Sequence, residues 1–152
     1  MENRLKNKNT KNADVWTAVQ HLHKAIAAGG VDPKLLALVH LRASQINSCS
    51  PCIYAGVTQA KKAGETDERL HNVAAWREAP FYTDAERAAL ALTEGATRLQ
   101  DGAEGVTDKI WEDANTHFTE EQINAINLEI ALTNFFNRLN RTTKEPAGQT
   151  WN

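Results

Sequence analysis

The sequence predicts an all-α, single-domain protein, and three observations carry that prediction. Apolar residues recur at three- and four-residue intervals in one segment after another. Most of these segments have a capping residue in front and a glycine or proline behind. No segment sustains the alternation of a half-buried β-strand. A chain of 152 residues with 41% hydrophobic content can supply one core, and nothing in it requires a second domain.

The elements follow in order. Val15, Val19, Leu22 and Ile26 repeat at helical spacing behind Asp14, and Gly29-Gly30 stops them. Asp32-Pro33 offers a cap and a proline at the first helical position, ahead of the strongly apolar Leu35, Leu36, Leu38, Val39 and Leu41. That helix is expected to be central. A third helix starts around the cysteines, with Ser48 or Ser50 as cap and Pro51 in its first turn, and ends at Gly64. Thr66 or Asp67 opens a fourth through Leu70, Val73 and Trp76, broken at Pro80. Thr83 and Glu86 have capping-box spacing, leading a helix along Ala89, Leu92, Ala96 and Leu99 to Gly102. Thr107 begins a short helix with Ile110, Trp111 and Ala114. Thr119 and Gln122 repeat the capping-box pattern before a long helix through Ile123, Ile126, Ile130, Phe135, Phe136 and Leu139. About seven helices result. Leu128, Ala131 and Leu132 make the last apolar on more than one face, which favours a homo-oligomer. The basic, polar opening reads as a flexible arm over residues 1–12, the domain as 13–142 and "KEPAGQTWN" as part of a tail over 143–152, in which Trp151 is free to dock or stay loose.

Composition removes several function classes. Net charge is −2 and pI about 6.2, so no basic field points to nucleic acid. No apolar run approaches a membrane span, and the opening lacks the plan of a secretory signal, so a cytoplasmic protein is expected, with no membrane partner. Nucleotide-binding and serine-hydrolase motifs are absent.

Both cysteines lie in "SCSPC", Cys49 and Cys52. Two are too few for a secreted disulfide scaffold, whereas Cys-x-x-Cys in a cytosolic setting points to redox chemistry or a metal. Zinc needs about four ligands. His21, His23, His40, His71 and His117 fall in no paired ligand pattern, so neither metal nor other cofactor is expected. A structural pair of buried thiols is the bland alternative. In the first turn of a helix the pair is within disulfide reach. The unpaired N–H groups there favour thiolate, lowering the usual cysteine pKa of about 8.5 towards 7 or below. A thiolate that attacks a hydroperoxide becomes a sulfenic acid, which the neighbouring thiol condenses to a disulfide. Exchange with another disulfide uses the same pair. Either reaction needs an external dithiol to reset it.

"LLALVHLRASQINSCSPC", "GETDERLHNVAAWREAPFYTDAERAALALTE" and "HFTEEQINAINLEIALTNFFNRLNR" together resemble the AhpD-like alkylhydroperoxidases of the carboxymuconolactone decarboxylase superfamily, over roughly residues 14–142. The resemblance implies an all-helical oligomer that reduces organic hydroperoxides with Cys49 and Cys52. It also implies a proton relay from a glutamate twelve residues before the first cysteine and a histidine four after the second, where this chain has Ala37 and Gly56. Neither moves a proton, so weak turnover is expected. His40, one turn after Ala37, is the candidate substitute base, set against an ordinary surface histidine, the preferred reading. Tyr54 lies near the pair but is a poor base at neutral pH. Arg42 either faces the pair and stabilises a thiolate or joins an ion pair with a glutamate. Pro51 is shared with thioredoxin-type motifs. The expected function is a thiol-dependent hydroperoxide reductase. The alternatives are a non-redox decarboxylase or lactone-processing enzyme, which needs no cysteine pair, and a redox-sensing or binding module.

Overall fold

The computed structural model describes residues 2–5 and 13–148. Seven α-helices are present among the described residues: α1 (Ala13–Ala28), α2 (Pro33–Ile46), α3 (Ser50–Lys62), α4 (Asp67–Asn72), α5 (Asp84–Thr97), α6 (Asp108–His117) and α7 (Glu120–Thr143). None of these residues forms a β-strand. Most of the expected arm, and Trp151, lie outside the described residues. Arg4 donates its backbone N–H to Thr143 O at 2.7 Å, tying residues 2–5 to the end of α7.

The caps behave as their chemistry requires. Asp32 accepts from Lys34 N ahead of Pro33, and both capping boxes, Thr83 with Glu86 and Thr119 with Gln122, close reciprocally. Three expectations change. The fourth segment is only α4, capped by Thr66, and then tightens to a 3-10 turn at Val73–Ala75 that seats Trp76 in the core. α5 stops at Thr97, leaving Leu99 exposed beyond it. Neither Ser48 nor Ser50 caps α3: Ser50 is its first residue, and Ser48 closes α2 instead. It takes the left-handed conformation (φ 53°), its N–H donates to Gln45 O at 3.0 Å, and Cys49 N–H donates to Ser44 O at 3.0 Å. This is a Schellman closure with serine in the position glycine usually takes.

α2 is the central helix. Its Leu35 and Val39 meet Leu92, Ile123, Ile126 and Ile130 on one side. Leu38 and Leu41 meet Ala60, Leu70, Val73, Trp76 and Leu90 on the other. Each fully buried aliphatic side chain contributes about 1.5 to 3 kcal/mol by leaving water. The amphipathic α1 closes a third cluster, Val19 and Ile26 with Leu132 of α7. The α2–α3 junction, and so the cysteines, packs against α7.

A buried ionic cluster braces the far side of α2. Glu94 accepts from Arg42 Nε (2.7 Å), Trp76 Nε1 (3.0 Å), Arg77 Nη1 (2.6 Å) and Arg98 Nη1 (2.9 Å). Burial pushes its carboxyl up, but the hydrogen bonds from Arg77, Trp76 and Arg42 outweigh that and hold it at about 2. Arg42 therefore belongs to an ion pair and not to the cysteine site. A second cluster joins Arg69 to Glu65 and Glu86, with the Arg69 guanidinium over the Tyr82 ring at 5.0 Å.

Candidate active site

The Schellman turn that ends α2 also begins α3. Cys49 receives the closure of one helix and is the N-cap of the next, with extended dihedrals (φ −88°, ψ 92°). Its carbonyl accepts from Ile53 N at 2.9 Å, which starts α3, and Pro51 occupies the first turn, where its missing N–H costs nothing. The spacing then puts Cys52 one turn in. The Cα atoms of Cys49 and Cys52 are 5.3 Å apart and the two sulfurs are joined as a disulfide. Both residues are buried, at 0% and 4% exposure, so a reduced pair has to become accessible before it meets a bulky substrate.

Sequence reasoning treated α7 as an apolar helix and missed the amides facing this junction. Asn140 donates from Nδ2 to Cys52 Sγ at 3.3 Å. Asn137 donates to Ser44 Oγ at 3.2 Å, and its Oδ1 accepts from Asn47 Nδ2 at 2.8 Å. Asn134 Oδ1 accepts from the same Asn47 amide at 2.9 Å. The recurrence of Asn134, Asn137 and Asn140 every three residues was the available signal, since that spacing keeps them near one face of a helix.

His40 is not an ordinary surface side chain. Its side chain is 25% exposed, Nε2 lies 3.2 Å from Cys52 O, and Nδ1 lies 3.2 Å from Thr133 Oγ1 and 3.5 Å from Glu129 Oε1. The ring occupies the room that the missing side chain of residue 56 leaves. A Cβ on Gly56 would stand 2.7 Å from His40 Cδ2, closer than such contacts come. His40, Ala37, Gly56, Glu129 and Thr133 line a pocket of about 360 Å³, walled by Leu36, Leu132 and Phe136, with His23 and Gln59 on its rim. Neither cysteine lines it. Tyr54 points to solvent at 57% exposure and takes no part. Among the described residues no group of three or more His, Cys, Asp and Glu side chains is arranged to hold a metal ion.

Fold and site together define a helical domain with a helix-start CxxC pair beside a histidine-lined pocket. The chain belongs to the carboxymuconolactone decarboxylase family, whose model matches residues 13–95. It is 36% identical over 102 residues to the uncharacterized protein YdfG of Bacillus subtilis, covering 67% of this chain and 68% of that one. It is 30% identical over 118 residues to the uncharacterized protein YnjA of Escherichia coli, spanning 77% of this chain and 63% of the relative. Its fold is AhpD-like. The crystal structure of an Agrobacterium tumefaciens protein of unknown function, provisionally assigned to antioxidant defence as AhpD, superposes with a TM-score of 0.87 at 27% identity, over 98% of this chain and 100% of that one. The debrominase Bmp8 superposes at 0.79 with 22% identity, over 91% and 73% of the two chains, so the same fold also carries a different activity.

Proposed function

We propose that the protein is a thiol-dependent oxidoreductase that reduces organic hydroperoxides, with Cys49 and Cys52 cycling between dithiol and disulfide. The observation that carries this reading is the bonded pair at the start of α3, with Cα atoms 5.3 Å apart. There the N–H groups and dipole of the helix favour a thiolate, which attacks the terminal peroxide oxygen. The O–O bond breaks, an alcohol leaves and a sulfenic acid remains; the second thiol condenses with it, releasing water and forming the disulfide. An external dithiol returns two electrons and two protons. His40 is the proposed base, in place of the relay that Ala37 and Gly56 lack. Family membership and the AhpD-like fold support the reading. A homo-oligomer is part of the proposal, with Phe135 and Leu139 of α7, 42% and 46% exposed, available to a second copy.

The test is consumption of cumene hydroperoxide in the presence of dithiothreitol. The wild type should turn over, and Cys49→Ser and Cys52→Ser should each lose turnover. Wild-type-like turnover in either variant would overturn the proposal. Because neither cysteine lines the pocket, non-redox acid–base chemistry there is the second reading, and lactone or carboxylate turnover surviving both substitutions would favour it.

A further inference from the structure

We infer that Glu129 is the positioning carboxylate of this site, acting through His40, with the Thr133 hydroxyl as a rotor between the two. The inference rests on the dithiol reading above and concerns how the pair is kept ready to ionise.

The hydrogen bonds assign the ring nitrogens. A carbonyl only accepts, so the 3.2 Å contact to Cys52 O places a hydrogen on Nε2 and leaves Nδ1 bare in the neutral ring. Nδ1 faces Thr133 Oγ1 at 3.2 Å and Glu129 Oε1 at 3.5 Å, and those two oxygens are 3.4 Å apart. Glu129 and Thr133 are one turn apart on α7, so a single helix presents both. With the ring neutral, the Thr133 hydroxyl donates to Nδ1. With the ring protonated, Nδ1–H donates to the Glu129 carboxylate or to Thr133 Oγ1, and the hydroxyl turns its hydrogen to Glu129. The single hydroxyl hydrogen serves Nδ1 in the neutral state, when neither the ring nor Thr133 donates to Glu129 Oε1, whereas a hydrogen on Nδ1 frees the hydroxyl for the carboxylate; Glu129 is the group that protonation of the ring satisfies.

The titratable groups around the ring are few. Glu129 comes from α7, at 12% side-chain exposure; His23 of α1 lines the same pocket; α3 brings the Cys49–Cys52 pair; and Arg42 on α2 itself is turned to Glu94. The protonated ring is then a cation on the main chain of Cys52, held there by Glu129, and it favours the thiolate over the thiol. During turnover, once the reduced pair has become accessible, Nδ1 takes up the thiol proton by way of the solvent admitted there as the thiolate forms. It returns that proton to the alkoxide released when the O–O bond breaks, giving the alcohol. Gly56 is required for this arrangement, since any side chain there displaces the ring.

The experiment measures the rate of iodoacetamide alkylation of the fully reduced chain against pH, with no hydroperoxide present. Glu129→Gln should raise the pH midpoint by about one unit or more. Glu129→Asp should recover part of the shift. Adding Glu129→Gln to His40→Ala should change nothing further, because the carboxylate acts through the ring. Cumene hydroperoxide turnover of Glu129→Gln should fall at least about tenfold. A wild-type pH midpoint in a folded Glu129→Gln protein would overturn the inference, as would full additivity with His40→Ala. A shifted midpoint in a protein whose wild type consumes no hydroperoxide would uphold it and reject the hydroperoxide reading instead.

Discussion

Asn140 and Glu94 show how single polar residues act on opposite sides of α2. The Asn140 amide, 3.3 Å from Cys52 Sγ, is a donor that a thiolate accepts more strongly than a disulfide sulfur does. Asn140→Ala should therefore destabilise the reduced, ionised form and lower the reduction potential of the pair. Equilibration with glutathione should show the disulfide favoured about tenfold more than in wild type. An unchanged equilibrium would mean the contact has no redox role. Glu94 bears on stability. Its carboxyl sits at about 2 in the folded chain against an ordinary 4.5, so between those values the unfolded chain binds more protons than the folded one. Its contribution is therefore complete above about pH 4.5 and lost as pH falls through about 2. Urea midpoints measured from neutral to acid pH should fall in that window. Glu94→Gln should flatten the fall while costing about 3 to 5 kcal/mol at neutral pH, because Arg42 is left buried without its carboxylate.

At the scale of elements, the α2–α3 junction is the informative part. One turn closes α2 and caps α3, and Ser48 adopts a left-handed conformation there (φ 53°) that favours glycine. Ser48→Gly should stabilise the fold by about 0.5 to 1 kcal/mol in urea unfolding without altering the disulfide spacing. This junction also marks what was legible beforehand. Local signals placed the helices well: Asp32-Pro33, the two capping boxes and the glycine stops each act within a few residues. The Cys-x-x-Cys spacing was equally local, and its helix-start position followed from Pro51. The partners were not legible, because Glu129 and Asn140 reach His40 and Cys52 from α7, across the fold, and no short-range pattern reports such pairings. Ser48 was misassigned for a related reason: a serine before a helix looks like a cap unless the preceding helix is known to need a residue in that place. The fourth and fifth helices were drawn too long because apolar spacing continues through Trp76 and Leu99, past the ends of α4 at Asn72 and of α5 at Thr97.

At the scale of the whole molecule, the central α2 holds two cores on its flanks and presents His40 to the pocket, while α7 supplies the amides and the carboxylate. No helix among the described residues is long and apolar enough to cross a membrane. The exposed Phe135 and Leu139 lead to an expected mass in light scattering well above the 16.8 kDa of one chain. A monomer at micromolar concentration would contradict the proposed oligomer. The central claim, a working dithiol, is tested most directly by counting free thiols on the fully reduced chain before and after one equivalent of cumene hydroperoxide. The expected result is loss of both thiols per chain, one equivalent of alcohol, and no cross-linked species on a non-reducing denaturing gel. An unchanged thiol count with the hydroperoxide intact would contradict it.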